Sequence, residues 1–327
     1  MEPILGIILF VISLVILTKG ADILVDGSAD LARFLRVSPV LVGLTIVAFG
    51  TSLPEFIVSL FAVLSGSADI SVGNIVGSNI ANIGLVIGIS ALFVPLVVKS
   101  TTLMYEFPFM LVSSFLFLLL ANDSYLFGEK GFFIGRIDGL ILLVIFIIFI
   151  VYVYRSLKNQ RQEKAMNKEF AKEFKHKNPL WKNSLMIGLG IIMLVAGGKL
   201  FVNSASDLAK LFGFSEAFIG VSIVALGTSL PELFTSVVAA YKKEASIAIG
   251  NIVGSNIFNI LMVLGIVGLI KPIAINQSLL FFDGMIMIGI TLLFLLFSTV
   301  GKNLQRWEGV VLLLSYISYI GWLVFSL

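Results

Sequence analysis

Cysteine is absent from this chain of 327 residues, and histidine occurs once, at His176, inside a charged stretch. Disulfides are thereby excluded, redox chemistry has no support, and the thiolate and imidazole donors that soft metals favour are missing. Charge is scarce as well: Asp, Glu, Lys and Arg make up 13% of the residues against 58% hydrophobic, and the mean hydropathy is +1.08. A water-soluble domain of this size cannot hide so much apolar surface, so the solvent is lipid. No nucleic-acid partner is expected.

What is present is a series of ten apolar segments, at about 3–18, 40–65, 70–98, 103–121, 136–154, 183–201, 216–241, 246–270, 279–299 and 307–326, each near the roughly 20 residues that cross a bilayer. The first lacks a basic start and a small-residue cleavage site, so it reads as a retained span and not a signal peptide. Residues 19–39 form a mixed linker whose Leu and Ala recur near helical spacing, which suggests a helix extended along the interface. The stretch 155–182 carries nine Lys/Arg against three Glu. By the positive-inside rule it is cytoplasmic. Alternating outward from it puts 17 of the 22 Lys/Arg in inside loops and leaves both termini outside.

A shift of 177 residues superposes the chain on itself without a gap from about residue 20 to residue 88. GNIVGSNIANIG at 73–84 and GNIVGSNIFNIL at 250–261 share ten of twelve residues. The chain therefore divides into a first half at 1–154, a basic linker at 155–182 and a second half at 183–327. Five spans per half is an odd number, so the second half enters the membrane from the opposite side. Inverted halves whose equivalent motifs meet near the midplane are the architecture of alternating-access transporters. The expected fold is an all-α membrane protein of ten transmembrane helices in two inverted five-helix repeats.

The most polar parts of the repeat are its most similar parts. GTSLPE occurs at 50–55 and again at 227–232, and in the apolar runs Val40 to Leu64 and Ala217 to Ala240 the glutamate is the only ionisable residue. A carboxylate at that depth costs roughly 2.5–3.5 kcal/mol on insertion scales. Pro54 and Pro231 each remove a backbone donor, and with Gly50 and Gly227 they predict a broken helix whose freed carbonyls, at residues such as Ala48 and Ala225, turn toward a polar cavity. Thr51 and Glu55 stand four apart, as do Thr228 and Glu232, so each pair can present oxygens to one site. Asn74, Ser78 and Asn82 follow i, i+4, i+8 spacing along one helical face, as do Asn251, Ser255 and Asn259. Ser78, Asn82, Ser255 and Asn259 are read as ion contacts. Asn74, Asn79, Asn251 and Asn256 are read as interhelical glue. The resulting set of oxygens suits hard cations, above all Ca²⁺, and also Na⁺. Two carboxylates match one Ca²⁺ or several Na⁺, and competition for one site is what antiport requires. No embedded His, Lys or paired Asp activates a nucleophile, so an enzyme is not expected.

At these residues the sequence resembles the sodium/calcium exchanger branch of the cation/calcium exchanger superfamily, whose two α-repeats look like GTSLPE with GNIVGSNI in opposed halves. The resemblance covers nearly the whole chain. It implies a prokaryotic Na⁺/Ca²⁺ antiporter of the plasma membrane, working as a monomer without cofactors. It implies calcium held between Glu55 and Glu232 with Thr51 and Thr228, and sodium at neighbouring positions using Ala48, Ala225, Ser52, Ser229, Ser78 and Ser255. It also implies rocking of the first and sixth spans across the other eight. One departure stands out: many members carry Asp where this chain has Asn259, which makes the centre more symmetric and one potential charge poorer. Proton, Li⁺ or K⁺ coupling is the alternative that this leaves open, followed by a cation channel.

Overall fold

The structure is a computed structural model and describes residues 3–98, 102–122, 131–166, 177–212, 225–301 and 303–326. The described residues form α1 (Pro3–Leu35), α2 (Pro39–Thr51), α3 (Leu53–Leu64), α4 (Ile70–Phe93), α5 (Thr102–Leu120), α6 (Arg136–Met166), α7 (Leu180–Leu211), α8 (Leu230–Tyr241), α9 (Ala245–Ile270), α10 (Leu279–Val300) and α11 (Arg306–Ser326). Eight of these are long and apolar enough to cross a membrane, or nine if α2 and α3, bent by 42° at their junction, count as one span. His176 and the segment 213–224, which would complete the seventh apolar stretch, lie outside the described residues.

Two sequence-based boundaries change. Residues 19–35 are no separate interfacial piece: they continue the first span as one helix of 33 residues, and α7 is likewise 32 residues long. At 1.5 Å per residue α1 is about 50 Å long, well beyond the ~30 Å hydrocarbon core. Its second half looks like a linker because Asp22, Asp26, Asp30 and Arg33 interrupt it at intervals of three or four. Those intervals are one helical stripe, and each of these residues is partnered. Lys242 bridges Asp22 at 2.6 Å and Asp26 at 2.7 Å, and Arg33 meets Glu244 at 2.5 Å. Asp30, which is buried, accepts the backbone amides of Lys177 and Asn178 and the side chain of Asn183. Partial burial works to lower the Lys242 pKa, but the hydrogen bonds and charges of Asp22 and Asp26 outweigh it and hold the amine above the usual lysine range. The linker is also shorter than its charges suggest, since α6 stays helical to Met166 and α7 starts at Leu180.

The 177-residue offset reappears in the backbone. α4 widens into a π-helical stretch at Asn82–Ile87 and α9 at Phe258–Leu264. α5 opens on one at Thr102–Glu106 and α10 on another at Leu279–Asp283. Short strands link the halves crosswise. β1 (Leu96–Val97) pairs antiparallel with β4 (Asn303–Leu304), and β2 (Phe132–Ile134) with β3 (Ile273–Ile275). Because α6 runs from β2 to the linker, the β2–β3 ribbon marks the end of the molecule far from the linker. The β1–β4 ribbon marks the linker end.

α4 and α9 are the most buried helices, and the others surround them. Glycines set how closely the layers approach. A Cβ on Gly190 of α7 would sit 2.7 Å from the Leu24 Cβ of α1, and one on Gly20 of α1 would sit 2.8 Å from the Met193 Cβ of α7. A Cβ on Gly254 of α9 would fall 2.5 Å from the Leu44 carbonyl oxygen of α2. Backbone cannot yield there as a flexible side chain could. Gly254→Ala therefore costs about 1–3 kcal/mol by overpacking, whereas Gly289→Ala, with open space around it, costs little. Thermal unfolding of the purified protein should separate the two; equal melting temperatures would contradict the packing.

Candidate metal centre

The centre forms where the two helix breaks face α4 and α9. Ser52 sits between α2 and α3 at φ −83°, ψ 4°, and Ser229 precedes α8 at φ −86°, ψ 3°. Pro54 and Pro231 lie in the first turns that follow, where a missing N–H is tolerated. Each proline also withholds the donor for the carbonyl four residues back, at Gly50 or Gly227. The carbonyl of Ala48 is not the freed one: it accepts the Ser52 amide at 3.0 Å. Ala225 opens the single turn Ala225–Gly227.

One turn into each helix come Glu55 and Glu232, both fully buried. Hydroxyls from both halves converge on them. Ser78 donates to Glu55 Oε1 at 3.3 Å and Ser229 donates to the same oxygen at 3.4 Å. Ser255 donates to Glu232 Oε1 at 3.2 Å and Ser52 at 3.1 Å. The threonine protons point outward. Thr51 donates to Asn251 Oδ1 at 3.0 Å and Thr228 to Asn74 Oδ1 at 3.2 Å. Asn251 and Asn74 are in turn held by Ser236 and Ser59. Every bond in this set has a partner related by the 177-residue offset.

The asparagines of α4 and α9 close the arrangement. Asn79 donates to the Asn256 carbonyl and Asn256 to the Asn79 carbonyl, both at 3.3 Å. Asn82 donates to Asn256 Oδ1 and Asn259 to Asn79 Oδ1, both at 3.0 Å. The glue reading of Asn79 and Asn256 matches this geometry. Asn74 and Asn251 do something further, which is to aim the threonines. Sequence reasoning also passed over Ser59 and Ser236; their signal was available, as the i+4 neighbours of the two glutamates at the same offset.

With these donors placed, four buried oxygens of this centre have no hydrogen-bond partner among the described residues: Glu55 Oε2, Glu232 Oε2, Asn82 Oδ1 and Asn259 Oδ1. The hydroxyl protons of Ser52, Ser78, Ser229, Ser255, Thr51 and Thr228 are engaged, which leaves their lone pairs available. A buried acceptor without a partner costs about 1–3 kcal/mol, more if charged. Carboxylates, amides and hydroxyls together form an acceptor-rich cage that suits a hard cation with many oxygen ligands. No third carboxylate and no imidazole joins it among the described residues.

Over nearly its whole length the chain is similar to known proteins. The family described as Sodium/calcium exchanger protein matches residues 5–155 and 182–325. CaxA of Alkalimonas amylolytica is 40% identical over 98% of each chain. Sodium/calcium exchanger MaX1 of Methanosarcina acetivorans is 33% identical over 96% of this chain and 97% of its own. Among solved structures, the sodium-calcium exchanger NCX_Mj soaked with 10 mM Na⁺ and 10 mM Sr²⁺ superposes with TM-score 0.80 at 32% identity, over 97% of this chain and 98% of that one.

Each crossed bond runs from one asparagine side chain to the other residue's main-chain carbonyl, which alanine retains, so Asn79→Ala and Asn256→Ala break different bonds. Each should destabilise by about 1–3 kcal/mol, and the double variant should cost about the sum. An unfolding free energy for the double variant well away from that sum would show the two bonds to be coupled.

Proposed function

The chain belongs to the sodium/calcium exchanger protein family, and from that premise we propose that it exchanges Na⁺ for Ca²⁺ across the plasma membrane by alternating access. It is a transporter and not an enzyme. The observation that carries the reading is the cage itself: two buried carboxylates face one centre, with neighbouring hydroxyl protons engaged and four oxygens unpartnered. Ca²⁺ takes 6–8 oxygens and would neutralise the pair. Na⁺ carries half the charge and would do so only as more than one ion, sharing the same oxygens. Glu55, Glu232, Thr51 and Thr228 are assigned to calcium. Ser52, Ser78, Ser229, Ser255, Ala48 and Ala225 are assigned to adjoining sodium positions, with Asn82 and Asn259 between them.

The spanning plan proposed is ten helices in two inverted halves, with both termini outside and the protein acting as a monomer. Reciprocal bonding between residues 177 apart supports a two-fold relation of the halves. The tenth span is assigned to the apolar stretch 216–241, of which α8 is the described helix. α1 and α7 meet through glycines at near-backbone distance, which suits movement as one unit past the cage.

The test is Ca²⁺ uptake into proteoliposomes loaded with Na⁺. An outward Na⁺ gradient should drive uptake; a pH gradient driving it instead would select proton coupling, and conductance without a counter-ion would select a channel. Glu55→Gln and Glu232→Gln each remove a charged ligand, worth about 1.5–3 kcal/mol, so uptake at low Ca²⁺ should fall by roughly tenfold or more. Wild-type rates in both would refute the cage. Asn259→Asp adds a carboxylate beside two others, so one of the three should take up protons more readily. Its uptake should become more pH-dependent than that of the parent, and an unchanged pH profile would remove Asn259 from the site.

A further inference from the structure

The cage does not use all the carboxylates inside the spans. Glu106 ends the π-helical turn that opens α5, and Asp283 ends the matching turn of α10, 177 residues on. Each accepts a phenol from the last helix of its own half. Tyr152 donates to Glu106 Oε1 at 2.9 Å and Tyr319 to Asp283 Oδ1 at 2.8 Å. Glu106 is only 3% exposed, and its Oε2 has no partner. Acids within spans are costly and mark ion paths by default. Two of them at equivalent positions, each held by a tyrosine, are not explained by packing.

Both line cavities, each of about 420 Å³. The Glu106 cavity lies at the linker end, among Tyr105, Tyr152, Arg155, Asn159 and Gln160. The Asp283 cavity lies at the far end, and its wall includes Asn74, Ser78 and Thr228. Those three belong to the cage network. The far-end cavity thus runs from a carboxylate to the oxygens around Glu55, while no cage residue lines the linker-end cavity among the described residues.

We propose that Asp283, held by Tyr319 in a cavity shared with Ser78 and Thr228, is a staging site for the transported cations at the far face, and that Glu106 with Tyr152 is its counterpart at the linker face. This rests on the exchange reading above. A carboxylate in a low-dielectric passage concentrates cations locally. One carboxylate, one phenol oxygen and cavity water make a weak site that fills and empties readily, which suits transit. The tyrosine fixes one oxygen and leaves the other to the ion. Arg155 lines the linker-end cavity, and no Lys or Arg lines the far-end one among the described residues, so the far stage attracts cations more strongly.

The experiment measures initial Na⁺-driven Ca²⁺ uptake against Ca²⁺ concentration, with Ca²⁺ offered at one face at a time in vesicles of known orientation. Trypsin access to the basic linker identifies the faces. Asp283→Asn should raise KM at the far face by roughly three- to tenfold, with kcat and the linker-face KM unchanged. Glu106→Gln should do the converse. Asp283→Glu, which keeps the charge, should keep KM near the parent value. An unchanged KM, or an equal rise at both faces, overturns the proposal. If Asp283→Asn does not fold, Tyr319→Phe releases the carboxylate and should shift the same KM at the same face; no shift there counts against the proposal. Absence of Na⁺-driven uptake in the parent protein would instead indict the exchange reading. In that case Ca²⁺ binding to the Glu55→Gln, Glu232→Gln protein decides staging directly: weak binding that Asp283→Asn reduces and Asp283→Asn with Glu106→Gln removes supports it, and no binding, or binding that neither change alters, refutes it.

Discussion

Two carboxylates buried together repel each other, and nothing in an apolar interior screens them. The molecule meets that constraint by surrounding them with donors from the opposite half. Glu55 is bonded by Ser229 as well as Ser78, and Glu232 by Ser52 as well as Ser255. Neither half satisfies its own acid alone, so the site exists only when the halves are docked. The bonds crossing between Asn79 and Asn256 fix that docking in a single register. A shift of one helical turn would strand every one of these polar groups at once.

Much of this was legible in the residues because duplication acts as an internal control. The glutamates, the break residues and the i+4 ladder of Ser and Asn could each be read twice. What was less legible has physical causes. The charged half of α1 looked like a linker because hydropathy registers Asp22, Asp26 and Asp30 as interruptions and cannot register their partners. The Ala48 carbonyl looked free because the proline was counted as disrupting the whole preceding turn, whereas the Ser52 amide still reaches it. The π-helical stretches at Asn82–Ile87 and Phe258–Leu264 leave no simple sequence signature. They widen the helix where the central amides must turn inward, and single π-turns recur at such places.

The strands contribute in a different way. Each ribbon joins a segment of one half to a segment of the other, β1 with β4 and β2 with β3. They frame the helices around α4 and α9 from both ends and give α1 and α7 a fixed body to lie against. Those two helices pack mainly on each other, glycine against backbone, so the molecule divides into a clamped body and a paired arm.

The contacts of Asp22 and Asp26 with Lys242, and of Arg33 with Glu244, occur at the linker end. The duplicated positions are Lys199 and Asn203 against Ser65, and Lys210 against Ser67, so these acid–base pairs are not copied by the repeat. Perfect copies would make the two end states of the proposed cycle equal in energy. Charge pairs that the repeat does not copy lift that degeneracy, by under about 1 kcal/mol for each partly exposed pair and by less as salt rises. In that proposed cycle resting occupancy would be set outside the shared motifs, and would respond to ionic strength independently of which cargo fills the cage.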